Sequence, residues 1–216
     1  MRELTERQRN RRARILEAAR ELIAERGYDG VTMRDLAARS DVALKTLYLQ
    51  YESKENLLTT AVEEVHRTVY EGIDQTELAT GFDRLFYIVD TVCDTMLQNQ
   101  AFAKTTAQIF GRGTTPESYS EIRTNTYRKA IQQIADEGDL LPWVDVDGMT
   151  TLMLRHRSSI NVDWGRGKIR TEDLADGIKL HLCASLVAFT QGKTLERARE
   201  AIEPLFEKSL AHGTTL

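Results

Sequence analysis

Cysteine is nearly missing from this chain of 216 residues: only Cys93 and Cys183 are present, far apart and in apolar surroundings. That is too few for the disulfide frameworks that hold small secreted domains. Proline is almost as scarce, with three residues, all beyond Thr115, and glycine is modest at 13. So few breakers over this length imply a mostly helical chain. No run approaches the roughly 20 apolar residues of a membrane span. The opening MRELTERQRNRRAR likewise lacks the apolar stretch of a signal peptide. A cytoplasmic protein with no membrane partner is therefore expected. Basic charge is not in excess either: 29 Lys+Arg against 33 Asp+Glu give a net charge of −4. That excludes a protein that simply coats nucleic acid, provided the charge is evenly spread.

It is not evenly spread. Residues 1–60 carry 12 basic and 10 acidic side chains, whereas residues 61–216 carry 17 and 23. The basic end sharpens within residues 1–20, where seven arginines face Glu3, Glu6 and Glu17. An arginine-rich start can be only a frayed, solvated terminus, so it needs support from a motif.

From Arg9 the apolar positions Ile15, Ala18, Ala19, Leu22 and Ile23 follow helical spacing up to Gly27, a C-terminal cap. A short helix is expected from Thr32 as N-cap, with Asp35 as the capping-box acid. The pattern breaks over Arg39–Val42 and resumes over Ala43–Gln50, and Ser53 opens a long helix. Further helices are expected at Thr80–Asn99, Ala101–Gly111, Pro116–Glu137, Asp145–Gly165, Thr171–Gly192 and Leu195–His212. No strand alternation, repeat or low-complexity tract stands out. The fold class is all-α: a small three-helix head and a larger helical body.

Two short helices joined by a few residues and leaning on a first helix make a helix-turn-helix, which places its last helix in the DNA major groove. The outward face of Ala43–Gln50 suits that task. Lys45 reaches a base edge or phosphate, Thr46 and Tyr48 offer hydroxyls to phosphates, Gln50 reads a base edge, and Leu44 meets a thymine methyl. A tri-helical head can also be a mere packing unit. In that reading Arg34 pairs with Asp35 or Asp41, Tyr48 is a buried aromatic, and Lys54 is a helix-start charge.

Residues Arg14–Leu58 resemble the N-terminal domain of the TetR family of transcriptional regulators. The family shows an ordered progression IL–AA–LF–E–GY–TT–IA–GVS–TLY–F–SKE–LL. Here it is matched by Ile15-Leu16, Ala18-Ala19, Gly27-Tyr28, Thr32, Leu36-Ala37, Val42, Thr46-Leu47-Tyr48 and Ser53-Lys54-Glu55. The resemblance implies a helix-turn-helix DNA-binding domain over residues 1–54 and a ligand-binding and dimerisation domain over residues 55–216. It implies DNA contacts at Thr32, Arg34, Leu44, Lys45, Thr46, Tyr48, Gln50 and Lys54, with Arg34 on a guanine edge and Thr46, Tyr48 and Lys54 on phosphates. Four positions depart from the family pattern: Asp41 replaces a glycine, Ala43 a Ser or Thr cap, Lys45 a common glycine, and Tyr51 a phenylalanine.

For the body, the resemblance implies a homodimer paired through two late helices. One stripe is Met149, Leu152, Met153, His156, Ile160 and Trp164, and the other is Ile178, Leu182, Leu186 and Phe189. Both stripes could equally be intramolecular core. An apolar effector pocket is expected among Phe86, Val89, Asp90, Cys93, Met96, Ile109, Phe110 and Tyr127, with Asp90, Thr105, Gln108, Asn125 and His156 as polar groups that could orient a ligand. Enzymatic readings find little. The GRG segments at 111–113 and 165–167 sit in inter-helix turns rather than after a strand, and His181 and Cys183 point to different helix faces. No cofactor or metal is expected. The expected partners are a double-stranded DNA operator, a small-molecule effector and a second copy of the chain. The alternative is a helical ligand-binding or scaffold protein whose head meets protein.

Overall fold

A computed structural model describes residues 5–110 and 117–211, with side-chain surroundings for 5–107 and 120–211. The head starts with α1 (Glu6–Arg26), α2 (Met33–Ser40) and α3 (Leu44–Tyr51), and α4 (Lys54–Asp74) leads out of it. The body adds α5 (Gly81–Gln98), α6 (Gln100–Phe110), α7 (Glu117–Asp136), α8 (Val146–Gly165), α9 (Leu174–Phe189) and α10 (Gly192–Ala211). Among the described residues the only β feature is an isolated bridge between Leu140 and Thr190.

Local chemistry sets the helix starts. Thr5 and Gln8 form a capping box, so α1 begins earlier than its apolar pattern does and takes in the arginine-rich segment. Thr32 and Asp35 form the expected box on α2. Thr80 and Asp145 cap α5 and α8 through hydroxyl and carboxylate oxygens.

Two helix boundaries differ from the sequence pattern for a tertiary reason. The stretch Thr171–Gly192 is not one helix: Thr171–Asp173 forms a 3-10 turn, α9 ends at Phe189, and Thr190 adopts extended geometry. The last helix then starts at Gly192 rather than Leu195, because Asp139 accepts from the Thr194 amide at 2.7 Å across 55 residues. Gly192 has φ +58, and a Cβ there would meet the Asp139 carboxylate. Gly111, Pro116 and His212, expected at helix ends, lie outside the described residues.

The apolar interior divides in two. The head's cluster gathers Ile15, Leu22, Leu36 and Leu47, and it also takes Leu57, Leu58, Ala61 and Val62 from α4 and Phe102 from α6. Head packing therefore runs past the expected boundary at 54/55. The body's cluster draws Tyr70 and Ile73 from the far end of α4 together with residues of α5 to α10. Gly81 marks a tight crossing of α5 over α7, where a Cβ would lie 2.5 Å from the Ala130 carbonyl oxygen and 2.5 Å from Ile134 Cγ1.

A cation sits inside the body. Arg157 of α8 is 2% exposed; it donates to the Tyr70 hydroxyl at 3.1 Å and lies over the Tyr127 ring. His66 of α4 faces the same region. Burial, then the Arg157 and Arg123 guanidiniums, push its pKa from 6.5 down to about 3, so its imidazole is neutral in the fold.

Two predictions follow from this packing. Gly81→Ala should cost about 1–3 kcal/mol, because backbone rather than a side-chain tip must yield; an unchanged melting temperature would contradict the tight crossing. His66 should contribute to acid sensitivity. Below 6.5 the unfolded imidazole takes up a proton that the folded one refuses until about pH 3. Stability should therefore fall as pH drops through that window. His66→Asn should show a smaller loss between pH 7 and pH 4 in denaturant titrations, and an equal loss would assign the effect to other groups.

Candidate DNA-binding face and ligand cavity

The turn between α2 and α3 closes through Asp41, which adopts left-handed geometry (φ 52, ψ 51) and donates its amide to the Ala37 carbonyl. Asp therefore does here what glycine would do, at some steric cost. Ala43 stands at the N-cap of α3 with no side-chain hydrogen bond, so this start lacks the cap that α2 has. Leu47 and Tyr51 are buried and anchor α3 against α1 and α4. That anchoring decides which side chains point outward.

Arg34, Lys45, Tyr48 and Gln50 are exposed, and Tyr48 is 49% accessible. No ion pair among the described residues engages Arg34; Asp35, its expected rival partner, is held by Thr32 and by Arg26 at 3.1 Å. Thr46 is half-buried and lines a groove with Arg7, Arg11 and Arg14 of α1, which opens at the uncapped start of α3. Leu44 is half-buried and packs on the head's core. Thr32 is exposed, but its hydroxyl is engaged with Asp35 in capping. Gln50 donates to the Tyr51 hydroxyl at 3.1 Å, which gives the tyrosine in place of phenylalanine a polar partner. Lys54 donates to the Tyr28 carbonyl at 3.3 Å and lies 4.9 Å over its ring, so it ties α4 to the loop after α1. Leu49, 77% exposed, shares the outward face and carries no hydrogen-bonding group that would have marked it in the sequence.

In the body a cavity of about 220 Å³ opens between α1, α4, α5, α6, α7 and α8. Of the expected pocket residues Met96 lines it, whereas Phe86, Val89, Asp90, Cys93 and Tyr127 do not. Val89, Cys93 and Tyr127 are core, Phe86 stacks on Phe82, and Asp90 pairs with Lys179 at 2.5 Å. The side chains of Gln108, Ile109 and Phe110 lie outside the described residues. Of the other polar candidates, Asn125 is exposed, Thr105 bonds back to the Ala101 carbonyl, and His156 meets His181 edge-on at 6.0 Å. The wall instead includes Arg20, His66, Phe102, Arg123, Arg157 and Asn161. The wall thus differs in membership from the expected set, whose polar groups were Asp90, Thr105, Gln108, Asn125 and His156. One signal was legible: Arg157 sits in the middle of the buried stripe of α8, between Met153 and Ile160, where a cation is out of place.

The two stripes expected to pair copies of the chain are mostly turned inward. Met149, Met153, Ile160, Trp164, Ile178, Leu182 and Leu186 are buried within the single chain. Leu152, His156 and Phe189 are half-buried, and the outer faces of these helices show Thr151, Arg155, Ser159, Ala184 and Ala188. Cys93 and Cys183 are buried free thiols whose pKa values burial raises to about 11.

Residues 15–61 match the family model of bacterial regulatory proteins, tetR family. The chain is 34% identical over 108 residues to the HTH-type transcriptional repressor KstR of Mycolicibacterium smegmatis, covering 49% of this chain and 53% of that protein. Against KstR of Mycobacterium tuberculosis it is 36% identical over 110 residues, covering 49% and 50%. The chain thus spans about half the length of the curated relatives it matches. The fold is shared more widely. A TetR transcription regulator from Haloarcula marismortui superposes with a TM-score of 0.69 at 17% identity, covering 85% of this chain and 100% of that one. The regulator FadR from Bacillus subtilis, solved with stearoyl-CoA, gives 0.64 at 21% identity, covering 77% and 94%. The head therefore matches the tetR family of bacterial regulatory proteins over residues 15–61, and most of the chain shares its fold with solved TetR regulators.

Proposed function

We propose that this protein is a ligand-responsive transcriptional regulator, a repressor that binds a palindromic DNA operator as a homodimer in the cytoplasm and leaves it when a small molecule enters the body. The observation that carries the reading is the outward face of α2 and α3. Arg34, Lys45, Tyr48 and Gln50 point away from a helix fixed by Leu47 and Tyr51, with the Arg7–Arg11–Arg14 groove alongside. Arg34 reads a guanine edge, whereas Tyr48, Thr46 and the groove arginines hold phosphates. Lys54, bound to Tyr28, acts first by fixing the head's geometry. Against the scaffold alternative stand the match of residues 15–61 to the tetR family model and the repressor activity named for both relatives.

Two half-sites require two heads at a set spacing. The pairing surface assigned here is the outer side of α8 and α9, where Leu152, His156, Val187 and Phe189 remain half-buried beside exposed Ala184 and Ala188. Release is a population shift: a ligand that prefers one separation of the heads weakens DNA binding by its differential affinity. The route runs through α4, which joins both cores, and through Arg20 and Phe102, which the cavity wall shares with α1 and with the head's cluster.

Selection of bound fragments from random duplexes should enrich an inverted repeat. Arg34→Ala should relax preference at one position of each half-site, at about 1–3 kcal/mol. Tyr48→Phe should weaken all sequences alike, and log affinity should fall with log salt. Enrichment of no palindrome would favour the scaffold reading, and an unchanged preference in Arg34→Ala would remove its base-reading role.

A further inference from the structure

The cavity of the body is walled largely by hydrocarbon: Val65, Met96, Phe102, Ala103, Ala107 and Val162 line it. Its polar side chains mostly have partners within the chain. Thr95 and Thr106 donate to the Thr91 and Phe102 carbonyls at 2.9 and 2.8 Å. Arg20 pairs with Glu17, Arg157 donates to the Tyr70 hydroxyl, and Arg123 donates to the Ser158 hydroxyl. Such bonds hold these side chains in place with or without a ligand.

Asn161 differs. It is half-buried and lies one turn beyond Arg157 on α8, on the face that lines the cavity together with Ser158 and Val162. Its amide oxygen Oδ1 is shut off from solvent, and no described residue donates to it. An acceptor buried without a donor carries the cost of leaving water with nothing in return. In native proteins such a group marks a donor supplied from outside the chain, by water or by a ligand. Turning the amide over would bury its NH2 in the same place. A hydroxyl, which both donates and accepts, meets either arrangement.

The volume bounds the rest of the molecule. At about 220 Å³ the space is smaller than the roughly 300–1,000 Å³ typical of drug-sized sites, so a small ligand fits it better than a long one.

We propose that the cavity takes an alcohol with a short apolar body, its hydroxyl donating to Asn161 Oδ1 and its hydrocarbon lying against Phe102, Met96 and Val162. Phe102 also belongs to the head's cluster, so a ligand seated against it meets the packing of the DNA-reading unit. The inference rests on the ligand-responsive reading above and names the chemical class of its ligand.

The test is calorimetric titration of the full chain with octan-1-ol and with methyl heptyl ether, its isomer, which has the same atoms but no donor. Octan-1-ol should bind about fivefold more tightly, the net value of one neutral hydrogen bond. Asn161→Leu keeps the size of the side chain and removes the acceptor. The order should then reverse, because the hydroxyl would enter an apolar site unpartnered. Asn161→Ala should also lose the preference, and circular dichroism checks both variants for an intact fold. Asn125→Leu changes an exposed asparagine of α7 that does not line this cavity, and it should keep the preference. Binding of neither probe, equal or tighter binding of the ether, or a preference undiminished in Asn161→Leu and Asn161→Ala overturns the assignment. Duplex selection on the same preparations without added ligand separates the two readings. An enriched palindrome with no alcohol preference removes only the ligand class, whereas no palindrome removes the regulator.

Discussion

Phe102 is carried by α6, is 5% exposed, and is buried among the side chains of the head while its ring also lines the cavity of the body. Burial of one phenylalanine contributes on the order of 1.5–3 kcal/mol, and here that energy is shared between two units that also meet along α4 and where α1 packs on α6. A ligand that displaces this ring acts on the packing that orients α1, and through α1 on α2 and α3. The Arg12–Glu64 bond at 3.0 Å braces the same joint from the α4 side. Being partly exposed, that pair positions more than it stabilises.

The head's reading face depends on short-range chemistry of a different kind. Asp41 supplies a left-handed turn, Tyr51 and Leu47 bury the inner side of α3, and Lys54 fastens the start of α4 to Tyr28. The helix start that lacks a cap, at Ala43, is also the one beside the arginine-lined groove. At that start the Thr46 and Leu47 amides bond back to the Ala43 carbonyl, and no side chain caps the helix.

The head was legible because its signals are local. Capping at Thr32, helical spacing from Ile15 to Ile23, and the ordered set ending in Ser53-Lys54-Glu55 each depend on residues a few positions apart. The cavity was much less legible. Phe86, Val89 and Cys93 share a helical stripe as a pocket wall would, but a stripe says only that a face is covered and not by what. The space opened instead where the C-terminal half of α5 meets α6 and α8, and its chemistry comes from Arg123 and Arg157, polar residues that a search for apolar linings passes over.

The sequence by itself determined the all-α class, most helix starts, the turn at Asp41 and the exposure of Lys45, Tyr48 and Gln50 on α3, since all are consequences of caps, spacing and side-chain type within one or two helical turns. Tertiary structure alone decided three things. It turned most of the α8 and α9 stripes into the chain's own core, set the start of α10 through Asp139, and gathered like charges from α1, α7 and α8 around one cavity. Each joins residues tens of positions apart. Such contacts depend on how helices cross, and the periodicity of any single helix carries no information about its neighbour.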